Sequence, residues 1–220
     1  MQLKNTMMLK TLAERVEYRD DISGSHIERT QSYLRILVSA LRQNDLYIAE
    51  ISSWDDELFL QSALLHDVGK LAIDESILRK PGKLTKEEFD KVKIHTSFGE
   101  QVIERIKRTV LQQDSLEQAR VLAFTHHEKW DGSGYPRGLK GKDIPLQGRL
   151  MAIADVYDAL VSDRSYKKAF AHEEAVHIIK DDSGTHFDPA LVELFLSVSD
   201  EFNKINLRHR TYKIAPNSNI

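Results

Sequence analysis

Apolar residues recur along most of the chain at spacings of three and four, the period of a helix with one buried face. Leu9, Leu12, Ala13 and Val16 mark a helix near the N-terminus, followed by the breaker-rich DDISGS (20–25). A second helix is expected from about His26, with Tyr33, Leu34, Leu37, Val38 and Leu41 on one face. SSWDDELFLQSALLH (52–66) reads as a helix capped by Ser53 or Asp55, running into HDVGK (66–70) with Gly69 as its stop. After the turn RKPGKLT (79–85), Thr85 and Glu88 have the spacing of a capping box, opening a long helix through His95 to about Lys107. Residues 115–127 form another helix that ends in His126 and His127, and 128–146 form a long loop marked by Gly and Pro. GRLMAIADVYDALVSDR (148–164), HEEAVHIIKDD (172–182) and PALVELFLSVSDEF (189–202) complete the helices. No alternating strand pattern stands out, so the expected class is all-α.

Composition narrows the picture. With 220 residues, 41% of them hydrophobic, the chain is long enough for one sizeable core. No stretch reaches the roughly 18–20 apolar residues of a membrane span. The opening MQLKNTMMLK lacks a signal-peptide core, and there is no cysteine for disulfides or thiolate metal sites. A cytoplasmic protein without a membrane partner is therefore expected. The net charge of −3 argues against DNA or RNA as a partner, because backbone binding needs a basic face. The expected organisation is a helix over 1–20 that serves as a linker or signalling helix, a catalytic domain over 21–207 and a flexible tail over 208–220.

The histidines and acids carry the candidate chemistry. A single histidine such as His26 or His95 is more often a satisfied core or surface residue than a ligand. His66–Asp67 and His126–His127 are different, because adjacent residues reach one ion only where a helix is ending. Asp155, inside the apolar run MAIADVYDAL, has two readings: a metal ligand, or a carboxylate paired within the bundle, where Asp158 is also available. Taken together, imidazoles and carboxylates suit Fe, Mn, Zn or Ni. Several histidines around a carboxylate that can bridge are what a two-metal hydrolytic site requires.

HDVGK (66–70), HHEKWDGSGYP (126–136) and ADVYDALVSDRSYK (154–167) resemble the HD-GYP family of cyclic-dinucleotide phosphodiesterases, within the HD phosphohydrolase superfamily. RDDISGSHIERT (19–30), HTSFGEQVI (95–103) and GTHFDPALVELF (184–195) extend the resemblance over roughly residues 15–197. It implies an HD-type helical bundle with a long GYP loop. It also implies two divalent ions, Fe or Mn in the first place, with Zn, Ni and Co as alternatives. His26, His66, Asp67 and Asp155 would hold one ion. Asp67 would bridge to the second, completed by His95, His126 and His127. Lys70 would face the phosphate or the nucleophile, and Arg164 and Lys167 match basic positions for substrate phosphates. Their plainer reading is a solvated helix end. Some members use a Glu four residues before the first histidine for a third ion; Ile22 stands there, so two ions are expected. Ser165 replaces the proline frequent in the family's RPYK-like stretch.

The activity implied is hydrolysis of cyclic di-GMP to pGpG, and further to GMP, by a hydroxide held between the ions. Cyclic GMP-AMP is an alternative substrate. A nucleotidase or (p)ppGpp-type hydrolase is a second reading, opposed by the full GYP loop. A regulatory module that binds a cyclic dinucleotide without turnover is a third, opposed by the complete ligand set. Tyr135 would line the substrate cleft or face a partner such as a cyclic-dinucleotide synthase (GGDEF) domain. A homodimer is also considered. Glu128 and Asp131 are expected to brace the loop, and Gly132 and Gly134 to permit its turns, with Pro136 stiffening the exit.

Overall fold

The computed structural model describes residues 2–20, 25–109, 114–163 and 168–214. Among them there is no strand, in agreement with the all-α expectation; one isolated bridge joins Ser183 and Phe187. The helices are α1 (Gln2–Asp20), α2 (His26–Gln43), α3 (Ile48–Ile51), α4 (Asp56–Ser62), α5 (Glu75–Leu78), α6 (Lys86–Lys107), α7 (Asp114–Thr125), α8 (Leu146–Val161), α9 (His172–Asp181) and α10 (Pro189–Ile214).

α2 begins at His26 and buries the predicted face, including Tyr33, Leu34, Leu37, Val38 and Leu41. α8 is buried on nearly every side, as its apolar composition requires of a central helix. Around these two helices α9 and α10 close the larger core. There Tyr33 stacks on Phe202 at a centroid distance of 4.6 Å and meets Tyr157 edge-on at 5.2 Å. Full burial of side chains of this size contributes roughly 1.5–3 kcal/mol each. A second cluster joins Ala13 of α1, Ile27, Leu64, Leu65, Val68, Ile103 of α6, and Leu116, Ala119 and Ala123 of α7. Neighbouring residues 63–65 and 122–123 divide between the two clusters, so the backbone just before each histidine pair is held from both sides.

Two caps fall where expected. Asp55 accepts from the Leu58 amide at 3.0 Å, and Thr85 and Glu88 form a complete capping box. Ends are where expectation and structure part. α4 stops at Ser62; a 3₁₀ turn (Ala63–Leu65) carries the chain to His66, and a second one (Val68–Ala72) contains Gly69. Gly69 is therefore not the helix stop. A Cβ there would lie 1.8 Å from the His95 carbonyl oxygen and 2.5 Å from the Gly99 nitrogen, so the glycine is needed for close approach to α6. α7 ends at Thr125, one residue before the histidine pair. α10 runs through Ile214, so residues 208–214, expected as tail, are helical.

Candidate metal centre

Five places in the fold supply the predicted side chains. His26 opens α2, His66 and Asp67 sit between the two 3₁₀ turns, His95 is midway along α6, His126 and His127 follow α7, and Asp155 is midway along α8. The structure gathers them into two sets whose ligand atoms lie within 4.8 Å of one another. One set is Asp67, His95, His126 and His127; the other is His26, His66 and Asp67. Asp67 belongs to both. Asp155 joins the second through His26, its Oδ1 3.6 Å from His26 Nε2.

The imidazoles are aimed. His66, His95 and His126 each place Nδ1 against a carbonyl oxygen, of Ala63 (2.8 Å), Val92 (2.6 Å) and Leu122 (2.9 Å). A carbonyl only accepts, so Nδ1 carries the proton and Nε2 presents a lone pair inward. His26 Nδ1 contacts Asp158 Oδ2 at 2.8 Å, and that carboxylate also accepts from Arg29 Nε (2.6 Å) and Nη2 (2.8 Å). Inward, the Nε2 atoms of His95 and His126 are 3.3 Å apart, and those of His26 and His66 3.5 Å. Asp67 Oδ1 lies 3.4 Å from His95 Nε2 and 3.7 Å from His126 Nε2, while Oδ2 lies 3.3 Å from His66 Nε2.

These spacings fit a metal. Ligand atoms about 2.1 Å from one ion at right to tetrahedral angles stand roughly 3.0–3.4 Å apart. Asp67 Oδ1 is buried and has no hydrogen-bond partner among the described residues, a state that costs free energy unless a cation or proton fills it.

Electrostatics agree with ligand duty on the His95–His127 side. Burial, with the neighbouring His126 adding to it, pushes the His127 imidazole well below its usual range; burial also pulls His95 down to about 4, against the attraction of Asp67. Both are neutral near pH 7, the form that binds metal. Burial opposes charge on His26, but the Asp158 hydrogen bond and the charges of Asp158, Asp155 and Asp67 outweigh it and raise its pKa to about 9. Asp67 is held well below the usual carboxylate range despite burial, chiefly by the charge of Lys70. Lys70 Nζ sits 2.7 Å from Asp67 Oδ2.

Outside the two sets, Tyr135 packs its ring 4.8 Å from that of His127, and its phenol is pushed up by burial. Glu128 is buried and accepts from the Arg137 (2.8 Å) and Leu139 (2.9 Å) amides, the predicted bracing of the loop. Asp131 caps Ser133 (2.8 Å) at the surface. Gly132 does adopt a positive φ of 87°. Gly134 is required instead by contact, since a Cβ would lie 2.3 Å from the Lys129 nitrogen. Arg164, Ser165 and Lys167 lie outside the described residues, as do Asp21 and Ile22. The Arg29–Asp158 pair escaped the sequence reading as a support for His26. Its signal was an arginine one helical turn after His26, pointing into an apolar bundle that already held an unexplained aspartate.

The HD domain family model matches residues 22–191. A cyclic di-GMP phosphodiesterase of Vibrio cholerae serotype O1 is 50% identical over 192 residues, 87% of this chain and 39% of that protein. A 3′3′-cGAMP-specific phosphodiesterase of the same organism is 40% identical over 195 residues, 89% of this chain and 35% of its own length. The chain thus spans well under half of these relatives. An HDG"Y"P protein from Bdellovibrio bacteriovorus shares the fold with a TM-score of 0.57, at 17% identity, covering 89% of this chain and 68% of that one. The family implies divalent-metal binding, and the two His/Asp sets are suited to it. The chain belongs to the HD domain family, in its HD-GYP branch.

Proposed function

We propose that this chain is a phosphodiesterase that opens a 3′–5′ cyclic dinucleotide, cyclic di-GMP in the first place, to the linear dinucleotide pGpG and onward to GMP. The observation that carries this reading is the sharing of one half-buried carboxylate, Asp67, between two sets of inward-facing imidazoles. Such a pairing suits two ions held side by side, with His26, His66 and Asp155 on one and His95, His126 and His127 on the other. When bound, divalent ions supply water activation and charge neutralisation for attack on a phosphodiester. Iron and manganese fit this mixed imidazole and carboxylate set, and zinc, nickel and cobalt are the alternatives.

The protein's own side chains do the rest. The outward Nδ1 bonds of His66, His95 and His126 hold those imidazoles in one tautomer and orientation, so little reorganisation accompanies the reaction. Lys70, held at Asp67, offers a cation to a phosphoryl oxygen on which charge builds. Arg164 and Lys167 are proposed as further phosphate contacts from their match to the family's basic positions. Tyr135, turned against His127, favours lining of the substrate cleft over docking of a GGDEF domain. The buried floor of His66, His95 and His126 strengthens the charge interactions there.

Cyclic GMP-AMP is the second substrate to test, because a cGAMP-specific relative is 40% identical to this chain. The experiment is product analysis after reconstitution with Fe(II) or Mn(II) under reducing conditions, with both dinucleotides offered. Release of pGpG or GMP from cyclic di-GMP is the expected result. Tight binding of the dinucleotide without cleavage under either metal would replace the enzyme by a binding module.

A further inference from the structure

α1 contributes no side chain to either ligand set, yet its last turn touches the backbone of His26 and of Lys70. Glu17 is 8% exposed, and its Oε1 accepts from the His26 amide at 2.5 Å and the Ile27 amide at 3.4 Å. These are first-turn amides of α2 that have no partner within their own helix. Two residues on, Arg19 Nη1 donates to the carbonyls of Lys70 and Leu71, both at 3.2 Å, and Nη2 donates to that of Ile73 at 2.9 Å. One guanidinium therefore spans the 3₁₀ turn that carries Lys70. Arg79 ties α1 down in return, donating to the carbonyls of Arg19 (3.1 Å) and Tyr18 (2.9 Å). The apolar side of α1 packs Ala13 beside Ile27, Leu64, Leu65 and Val68, the residues that flank the ligands.

Plain docking of a terminal helix would scatter its polar bonds over whatever surface lay beneath. Here the bonds of Glu17 and Arg19 fall on two backbone segments, His26–Ile27 and the turn from Lys70 to Ile73. We infer that Glu17 and Arg19 are positioning residues: Glu17 sets His26, Arg19 sets Lys70, and the placement of α1 governs the centre. This deepens the phosphodiesterase reading and rests on it for the Lys70 half. The His26 half concerns metal binding alone. Anything that draws α1 away would release the amide of one ligand and the turn of the phosphate-facing lysine together, giving an input through this helix a direct route to the site.

The test uses the full chain with Arg19→Met, Arg19→Lys, Glu17→Ala and Glu17→Gln, read by Mn(II) titration, steady-state kinetics on cyclic di-GMP and circular dichroism. Arg19→Met is expected to keep two ions and its KM while kcat falls about tenfold to a hundredfold, the scale expected for small misplacements of a reacting group. Arg19→Lys should recover part of kcat. Glu17→Ala should weaken one of the two ions about tenfold and leave the other, with Glu17→Gln, which keeps an acceptor oxygen, restoring it. Folded Arg19→Met with the kcat of the unaltered chain overturns the Arg19 role, as does loss of both ions together with helicity. Equal Mn(II) binding in Glu17→Ala and the unaltered chain overturns the Glu17 role. If the unaltered chain cleaves no cyclic dinucleotide, the phosphodiesterase reading fails, and the Mn(II) titration still decides the Glu17 half.

Discussion

At the scale of single residues, Asp67 and Gly69 do the most with the least. Gly69 lets the HD turn press against α6 until a Cβ would meet the His95 carbonyl oxygen at 1.8 Å. Gly69→Ala is expected to push His95 away from Asp67, costing about 1–3 kcal/mol of stability and weakening metal binding; thermal unfolding and metal titration together check it. His26 gives a pH signature. In the metal-free protein its pKa is raised to about 9, so an ion must displace a proton there at neutral pH. Affinity at that position should climb about tenfold per pH unit up to roughly pH 9, because metal and proton compete for one lone pair. The His95–His127 side is already neutral, since both pKa values are depressed by burial, and its affinity should be far flatter over pH 6–9. Competition titrations with a chelator at several pH values measure both, and equal slopes contradict the assignment.

At the scale of elements, the helices and several of their caps were readable, and the ends beside the His66–Asp67 and His126–His127 pairs were not. The face of α2 and the capping box of α6 follow from local periodicity and local hydrogen bonding. The 3₁₀ turns around HDVGK do not, because Gly69 answers to His95 and Gly99, which are far along the chain. The seven proposed ligands were readable as a motif order, whereas the aim of their side chains was not. The Nδ1 partners of His66, His95 and His126 are ordinary backbone carbonyls with no sequence signal, and Arg29 had to be seen across α8 against Asp158. The caps are separable from the chemistry. Thr85→Ala should cost about 1 kcal/mol in denaturant unfolding while leaving kcat within twofold, since its bonds end at Glu88. A large fall in kcat would mean that α6 transmits its cap to His95.

At the scale of the whole molecule, the two cores meet along the segments that carry the ligands, so stability and site are linked. Arg29 and Asp158 join α2 to α8 almost fully buried and hold His26 from behind. Arg29→Met strips the buried Asp158 carboxylate of its guanidinium and leaves it only His26, with an expected loss of about 3 kcal/mol, and lowered occupancy at the His26 position. Among the described residues no helix is long and apolar enough to cross a membrane. The central claim is that one carboxylate serves two ions. Metal stoichiometry of the reconstituted chain beside its Asp67→Ala variant tests it most directly. The account predicts two divalent ions per chain, both weakened together in the variant while its helicity is kept. Two ions retained in Asp67→Ala, or a single ion in the unaltered chain at saturating metal, would contradict it.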